Sequence, residues 1–341
     1  MTSETSPAPL LQALAGHRPA RLPVWFMRQA GRSLPEYHAV RGTTTILEAC
    51  LQPDLAAEIT LQPVRRHGVD AAILFSDIMT PLVLAGVDVD ILPGVGPVVA
   101  EPVRTAADVD RLVGHRLTDA SAVAEAVALV VAELADEVPL IGFAGAPFTL
   151  AAYLVEGRPS RDHLAARALM HSDPSAWHRL MDWCATVSGE FLATQVGAGA
   201  RAVQLFDSWA GALSRADYTA YVAPHSARVL AAVAGKVPRI HFGTSTGHLL
   251  RAMAACGVEA MGVDYRTPLD EAAALLPGLP LQGNIDPALL LAGWDALEAG
   301  TRDVVDRGRA APAHIVNLGH GVPPTTDPGL LTDLVALVHE L

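Results

Sequence analysis

The chain has 341 residues, of which 51% are apolar and 18% are charged, a composition that excludes a disordered protein. Its net charge of −12 argues against nucleic acid or an anionic membrane as the main partner. Three widely spaced cysteines, Cys50, Cys184 and Cys256, exclude a disulfide framework and fit a reducing cytoplasm. No basic segment precedes an apolar one at the start, and other apolar stretches are short, so we expect a cytoplasmic protein without a signal peptide or membrane span.

Short apolar runs alternate with longer Ala- and Leu-rich segments of helical spacing along the whole chain. Eight of these runs are predicted to be strands, at 22–27, 69–77, 139–146, 202–208, 239–244, 260–265, 279–285 and 314–319. Such alternation indicates a parallel sheet covered by helices on both faces. Because no linker is visible, it favours an α/β fold, a single-domain (β/α)8 TIM barrel over 1–341, above an open doubly wound sheet. Disorder is expected in about the first ten residues, and short strands and turns are expected at 81–103.

Nearly every predicted strand ends in polar or glycine-rich residues. These endings include Arg28, Asp77, Pro147, Ser208, Thr244, Asp264, Asn284 and His320. Barrel enzymes carry their chemistry on the loops that follow the carboxyl ends of the strands, so these residues are expected to meet at one mouth. Helix capping would account for acids and hydroxyls at such positions, but not for arginine or histidine.

The first strand runs directly into two arginines, Arg28 and Arg32, separated by Gln-Ala-Gly. Arginine is always charged and presents a planar fork that matches carboxylates, so the pair predicts a binding site for a polyanion. For either arginine alone, an ion pair with a nearby acid is the simpler interpretation. Gly31 is expected to permit a positive φ in the turn, and Arg41 could extend the same basic rim.

Four further residues have both a structural and a functional interpretation. Asp77 would either neutralise Arg28 or cap a turn, or accept hydrogen bonds from a ligand, which would hold its pKa low. Tyr153 lies in a predicted helix, where a tyrosine usually belongs to the core. Ser208 could cap a helix, and without a G-x-S-x-G elbow it is not a serine nucleophile. His320 lies between two glycines, which favours an exposed, functional ring.

The sequence predicts neither a metal site nor a nucleotide site. His241 and His248 form the nearest approach to a metal cluster, but no cysteine or acid stands at ligand spacing from them. The glycines at 94–96 lack the strand-to-helix context of a dinucleotide fingerprint, and no phosphate-binding loop occurs. We therefore expect no cofactor.

Six stretches in chain order resemble the uroporphyrinogen decarboxylase family of haem biosynthesis. They are PVWFMRQAGRSLPEY (23–37), LFSDI (74–78), GFAGAPFTLAAYLVEG (142–157), VQLFDSWAG (203–211), LQGNIDP (281–287) and NLGHGVPP (317–324). The resemblance implies a cofactor-free barrel, usually a homodimer, that acts on a tetrapyrrole. Such a carboxy-lyase converts the four acetate arms of uroporphyrinogen III to methyls, giving coproporphyrinogen III and carbon dioxide.

The resemblance also implies roles for individual residues. Those expected to bind substrate are Arg28, Gln29, Arg32, Asp77, Tyr153, Ser208 and His320. Asp77, Arg28 and Tyr153 are expected to be catalytic, with Asp77 accepting the pyrrole N–H groups and stabilising a ring cation formed by protonation. Three groups are candidates for the proton donor, namely Arg28, Asp77 and a water molecule that Arg28 relays. Arg28 is preferred. Asp207 and Trp209 stand at positions that the family varies, and 241–250 follows a looser pattern.

Two other functions remain as alternatives. A zinc-dependent corrinoid or folate methyltransferase of the related barrel superfamily would need His-x-Cys where this chain has His241-Phe242-Gly243. A tetrapyrrole carrier that lacks chemistry is disfavoured by the intact set of Arg28, Asp77 and Tyr153.

Overall fold

The structure is a computed structural model that describes residues 8–31 and 33–341. The strands in these residues are β1 (Ala72–Ile73), β2 (Val89–Leu92), β3 (Gly96–Val99), β4 (Leu140–Gly145), β5 (Ala202–Asp207), β6 (Arg239–Gly243), β7 (Ala260–Gly262), β8 (Leu281–Gln282) and β9 (His314–Ile315). The α-helices in these residues are α1 (Pro9–Leu14), α2 (Pro35–Arg41), α3 (Ile46–Cys50), α4 (Pro53–His67), α5 (Thr80–Leu84), α6 (Ala106–Leu112), α7 (Ser121–Glu133), α8 (Pro147–Glu156), α9 (Leu164–Ser172), α10 (Pro174–Gly197), α11 (Arg215–Tyr221), α12 (Ala223–Ala231), α13 (Leu250–Ala254), α14 (Leu269–Leu275), α15 (Trp294–Gly308) and α16 (Pro328–Glu340). Short 3-10 turns lie at Ala210–Ala212, Gly247–Leu249 and Pro287–Leu291.

Seven of the strands form one parallel sheet in the order β1-β4-β5-β6-β7-β8-β9. The segment around Val24 closes this sheet, because Val24 bridges in parallel to Val316 after β9. On its other side, Asp70 N donates to Val24 O at 2.8 Å just before β1. The curled α/β barrel predicted from the alternation is therefore confirmed.

The first predicted strand, 22–27, is reduced to that single bridge. Side-chain oxygens accept from three of its amides: Val24 N donates to Asp70 Oδ2, Phe26 N donates to Gln29 Oε1 and Met27 N donates to Asn317 Oδ1. Beyond Trp25, the bonds of Phe26 and Met27 to side chains stand in place of a backbone ladder to a neighbouring strand. Runs 69–77 and 314–319 likewise contribute only two-residue strands.

The segment at 81–103 contains one helix and one hairpin. Strands β2 and β3 pair antiparallel, with Val89 opposite Val99, which confirms the expected short strands. The expectation of strands and turns is wrong for 81–84, which belong to α5 with Pro81 in its first turn. Proline is compatible with a helix at that position because no intrahelical bond is lost there.

The barrel encloses a polar layer beneath its mouth. Trp25 Nε1 donates to Gln282 Oε1 at 3.1 Å, and Gln282 Nε2 donates to Gln204 Oε1 at 2.8 Å. Along β5, Gln204 and Phe206 therefore face inward, whereas Leu205 packs outward in a cluster with side chains of α7 and α10. This alternation decides which side chains of each strand can reach the mouth.

The expectation of disorder near the N-terminus falls mostly on 1–7, which lie outside the described residues. Pro9–Leu14 form a helix in which Leu10 and Leu14 are buried. Across 8–31 and 33–341, none of the helices has the length and apolarity that crossing a membrane requires.

Candidate active site

A cleft of about 280 Å³ opens at the carboxyl ends of the barrel strands. Its lining includes Arg28, Asp77, Tyr153, Ser208 and His320. These five residues come from segments spread over nearly 300 positions of the chain, and the barrel brings them to one mouth as the strand endings predict. The cleft is also lined by Gly31, Tyr37, Ile91, Pro97, Thr244 and Gly321, and by three phenylalanines described below.

Arg28 stands where the chain leaves the barrel wall, in a tight turn with a φ of +61°. Gln29 N donates to Phe26 O at 3.0 Å and closes this turn. A positive φ is costly for a residue with a Cβ, and such strain is found where surrounding contacts hold a functional side chain in place. Arg28 is exposed, and its stem lies against Gly321.

The structure does not bring the Gln29 side chain into the cleft. Gln29 is fully buried; its Oε1 accepts from Phe26 N at 2.9 Å, and its Nε2 donates to Ala71 O at 3.0 Å. The Gln29 amide therefore connects the turn at Arg28 to Ala71, the residue before β1. Arg32 lies outside the described residues, so its expected role stays a prediction. Gly31 has a φ of +98°, as expected, and its Cα faces the Tyr37 ring.

Asp77 has the turn-capping role considered for it, and its carboxylate also lies at the cleft. One carboxylate oxygen accepts from Met79 N at 2.9 Å, and Asp77 N donates to Thr80 Oγ1 at 3.3 Å, so Asp77 caps the turn that leads into α5. The half-buried carboxylate also lines the cleft. Cys50 lies behind it, where burial and the Asp77 charge raise the pKa of the Cys50 thiol far above its usual range.

Tyr153 projects from α8 and is 7% exposed. Burial, and next the negative charge of Asp77, raise the pKa of Tyr153 to about 12. The phenol is therefore protonated at neutral pH and can donate a hydrogen bond into the cleft. Its ring packs edge-on against Trp209, with centroids 5.8 Å apart.

Ser208 and His320 lie at the ends of two other barrel segments. Thr244 Oγ1 donates to Ser208 O at 2.6 Å and holds the serine backbone at the mouth. His320 is exposed, and its Nδ1 accepts from Gly321 N at 2.7 Å. In the neutral ring this bond places the proton on Nε2, which makes that nitrogen a donor.

Three phenylalanines, Phe143, Phe206 and Phe242, form an apolar floor. Their rings meet edge to face, with centroids 5.4 Å apart for Phe143 and Phe206 and 5.9 Å for Phe206 and Phe242. This floor was not predicted from the sequence. The signal in the sequence was that each of three successive strands, β4, β5 and β6, has one phenylalanine near its end. Phe206 of β5 and Phe242 of β6 lie directly opposite each other in the sheet.

The histidines considered for a metal site do not face the cleft. His241 is opposite the outward-facing Leu205, so it points away from the mouth. Its Nε2 stands 3.8 Å from Asp207 Oδ2, with both side chains fully buried. Burial disfavours the charged ring, but the Asp207 carboxylate and neighbouring Cys256 outweigh it and raise the pKa of His241 to about 9. His248 instead bonds to Leu213 O.

Among the residues that the structure describes, no group of three or more His, Cys, Asp or Glu side chains is arranged to hold a metal ion.

The chain is similar to known proteins over nearly its whole length. The family model of uroporphyrinogen decarboxylase (URO-D) matches residues 5–341. Uroporphyrinogen decarboxylase of Arthrobacter sp. is 60% identical and covers 100% of this chain and 99% of its own length. The enzyme of that name from Leifsonia xyli is 58% identical, covering 97% of this chain and 93% of its own. A methyltransferase from Methanosarcina mazei has a TM-score of 0.79 at 19% identity, covering 97% of both chains, which shows a shared fold alone.

Proposed function

The chain belongs to the uroporphyrinogen decarboxylase family, and we propose that it removes the acetate carboxyl groups of uroporphyrinogen III to give coproporphyrinogen III and carbon dioxide. The observation that carries this proposal is the composition of the cleft. A single carboxylate, Asp77, stands beside the apolar floor and is accompanied at the mouth by Arg28, Tyr153, Ser208 and His320. The substrate matches this pattern, since an apolar macrocycle with N–H groups at its centre carries carboxylates around its edge.

Asp77 is the acceptor for the pyrrole N–H groups. Its turn-capping bond to Met79 N fixes one carboxylate oxygen, so the group needs little reorganisation when the substrate binds. A fixed negative charge below the macrocycle stabilises a positive charge that develops on a pyrrole ring. The phenylalanine floor strengthens this effect, because apolar walls lower the local dielectric constant.

Decarboxylation needs a sink for the electron pair of the breaking bond. A proton first adds to a ring carbon next to the acetate arm and turns that pyrrole into a cation. The bond between the arm and its carboxylate then breaks, and its electron pair neutralises the ring, leaving an exocyclic methylene and carbon dioxide. A second proton converts the methylene to a methyl group, and the ring carbon loses the first proton. In total one proton replaces one carboxylate, so no electron carrier is required.

The remaining cleft residues hold the carboxylate arms. The Arg28 fork takes one carboxylate bidentately, and the family resemblance gives Arg32 the same task. The Tyr153 phenol, the Ser208 hydroxyl and the His320 Nε2–H donate to further arms or to the reacting one. Holding the reacting arm perpendicular to its pyrrole ring supplies much of the rate enhancement. The entropy of orienting the arm is then lost on binding, and the activation free energy of the chemical step is lower by that amount.

Arg28 is the proposed proton donor. Guanidinium is a weak acid, with a pKa above about 12, but Arg28 is exposed at the mouth and solvent can return its proton after each step. Asp77 is less suited to this task, because a carboxylate that accepts hydrogen bonds in its charged form holds no proton to give.

The test is anaerobic incubation of the metal-stripped protein with uroporphyrinogen III, followed by chromatography of the oxidised porphyrins. A ladder of products from eight carboxylates down to four is expected. Unchanged substrate in the presence of folded protein would overturn the proposal, and zinc analysis would then test the methyltransferase alternative.

The protein is further proposed to be a cytoplasmic homodimer. Its cysteines are buried, unpaired thiols, as a reducing compartment maintains. Two exposed apolar side chains, Leu92 and Val95, lie on the hairpin whose Ile91 and Pro97 line the cleft. Pairing across this face would cover them. Analytical ultracentrifugation tests the dimer, and a monomer at micromolar concentration would contradict it.

A further inference from the structure

We propose that Thr149 is a positioning residue that holds two walls of the active site, the Ser208 loop and the Tyr153 helix, in register. This inference rests on the proposed function of the cleft. Thr149 does not line the cleft and is fully buried in the first turn of α8. It was not among the residues that the sequence indicated for function.

The Thr149 hydroxyl bonds to both chain neighbours of Ser208. Its Oγ1 donates to Asp207 Oδ1 at 3.1 Å and accepts from Trp209 N at 3.3 Å. With the bond from Thr244 Oγ1 to Ser208 O at 2.6 Å, hydrogen bonds hold the Ser208 carbonyl, the Asp207 side chain before it and the Trp209 amide after it. These bonds limit movement of the loop that carries Ser208, which lines the cleft.

The same hydroxyl connects this loop to Tyr153. Tyr153 follows Thr149 by four residues in α8, so the two side chains leave the same face of the helix. The Tyr153 ring then packs edge-on against Trp209, whose backbone N–H is held by Thr149. Trp209 is thus held through its backbone by Thr149 and contacts Tyr153 through its ring, so a shift of the loop would move the phenol as well.

Asp207 explains why a hydroxyl is needed at this position. Its carboxylate is fully buried, and Thr149 Oγ1 donates a hydrogen bond to one of its oxygens, Oδ1. Its other oxygen stands 3.8 Å from His241 Nε2. A buried carboxylate oxygen that loses its donor is costly, and the Asp207 carboxylate would be drawn toward the His241 ring on its other side. An apolar residue in place of Thr149 would therefore loosen the end of β5 at Asp207, the residue before Ser208.

The experiment compares Thr149→Val with Thr149→Ser in the first decarboxylation, from eight to seven carboxylates. Valine keeps the shape and removes the hydroxyl, so we expect kcat/KM to fall by about tenfold through misplacement of the loop. Serine keeps the hydroxyl and is expected to stay within about twofold of the unsubstituted protein. Thr301→Val is the matched control, because Thr301 is equally buried but bonds only to Leu297 O in α15.

A second measurement separates positioning from loss of stability. Thr149→Val is therefore also introduced into a Ser208→Ala background. If Thr149 acts through Ser208, the change in log kcat/KM that it causes there should be less than half of the change that it causes in the unsubstituted protein. The same fold-loss in both backgrounds, or unchanged kinetics in Thr149→Val, would overturn the inference. Thr149→Ala removes the same hydroxyl and replaces the valine variant if that variant does not fold. Lack of decarboxylation by the unsubstituted protein would instead overturn the proposed function.

Discussion

The side chain of Arg28 lies directly against the Cα atom of Gly321. A Cβ atom built on that glycine would stand 2.5 Å from Arg28 Cδ and 2.8 Å from Arg28 Cγ. The two segments are joined by a hydrogen bond of 2.9 Å from Val322 N to Met27 O, which connects the last barrel segment to the first. Gly321 is not among the glycines with positive φ, so it is the contact with Arg28, and not backbone conformation, that requires a glycine here.

Gly321→Ala is therefore expected to displace Arg28 while leaving the fold intact. The added methyl meets the stem of Arg28 at Cδ and Cγ, so the arginine must adopt another rotamer, which its exposed position permits. A shift of about 1 Å in a substrate-orienting group can reduce the rate by up to about 100-fold. We expect kcat/KM to fall by about tenfold or more, with the free energy of unfolding within about 1 kcal/mol of the unsubstituted protein.

Gly197→Ala provides the control for this variant. Gly197 ends α10, its φ is not positive, and nothing lies within 4 Å of an added Cβ. It should retain full activity. Equal activity of the two alanine variants would show that the position of Arg28 does not matter for turnover.

Asp77→Asn tests the charge in the middle of the cleft. Asparagine keeps an oxygen that can accept from Met79 N, so the turn into α5 should survive. The missing negative charge removes the stabilisation of the pyrrole cation, for which a single preorganised group contributes on the order of 3 kcal/mol. Turnover is expected to fall by at least about 100-fold with little change in thermal unfolding. Near-normal turnover would exclude the assigned role of Asp77.

Tyr153→Phe tests the phenol as a hydrogen-bond donor. Because burial and the charge of Asp77 raise the pKa of Tyr153 to about 12, the phenol keeps its proton throughout the range in which the enzyme can be assayed. The variant should lose about tenfold in kcat/KM by an equal factor at every pH from about 6 to about 9. A decline of the unsubstituted enzyme at the alkaline end that disappears in the variant would show instead that Tyr153 ionises during turnover.

The features of the site that could be predicted from the sequence are those that depend on periodicity. Buried strands alternate with helices, and polar residues follow the strands, so Arg28, Asp77, Ser208 and His320 were expected at one mouth, where they are found. A single sequence also shows that Gly31 belongs to a turn, because glycine tolerates the φ of +98° observed there.

The direction of a polar side chain next to the site could not be predicted. Gln29 adjoins Arg28, but its amide turns inward to Ala71 O, a partner 42 residues away. Thr149 could be placed in a helix, but its hydroxyl bonds to residues at the end of β5, 58 and 60 positions later. Both outcomes are decided by tertiary neighbours, which local pattern does not specify.

The buried ring of His314 makes stability depend on pH. Burial lowers the pKa of His314 to about 4, below its usual 6.5, although a hydrogen bond to Gly283 O partly opposes this shift. The other ring nitrogen, Nδ1, stands against Gly308 without a hydrogen-bond partner. Between these two pH values the unfolded chain binds a proton that the folded one does not, so stability falls as the pH falls.

From about pH 7 to about pH 5, His314 alone should therefore cost about 2 kcal/mol of unfolding free energy. Urea unfolding at the two pH values measures this loss, and His314→Gln should reduce it by about that amount. Part of the loss should remain in the variant, because burial also lowers the pKa of His67 to about 4. His17→Gln, at an exposed position, controls for the removal of a histidine. If His314→Gln and the unsubstituted protein lose equal stability on acidification, His314 must accept its proton in the folded state, which would require a partner for Nδ1.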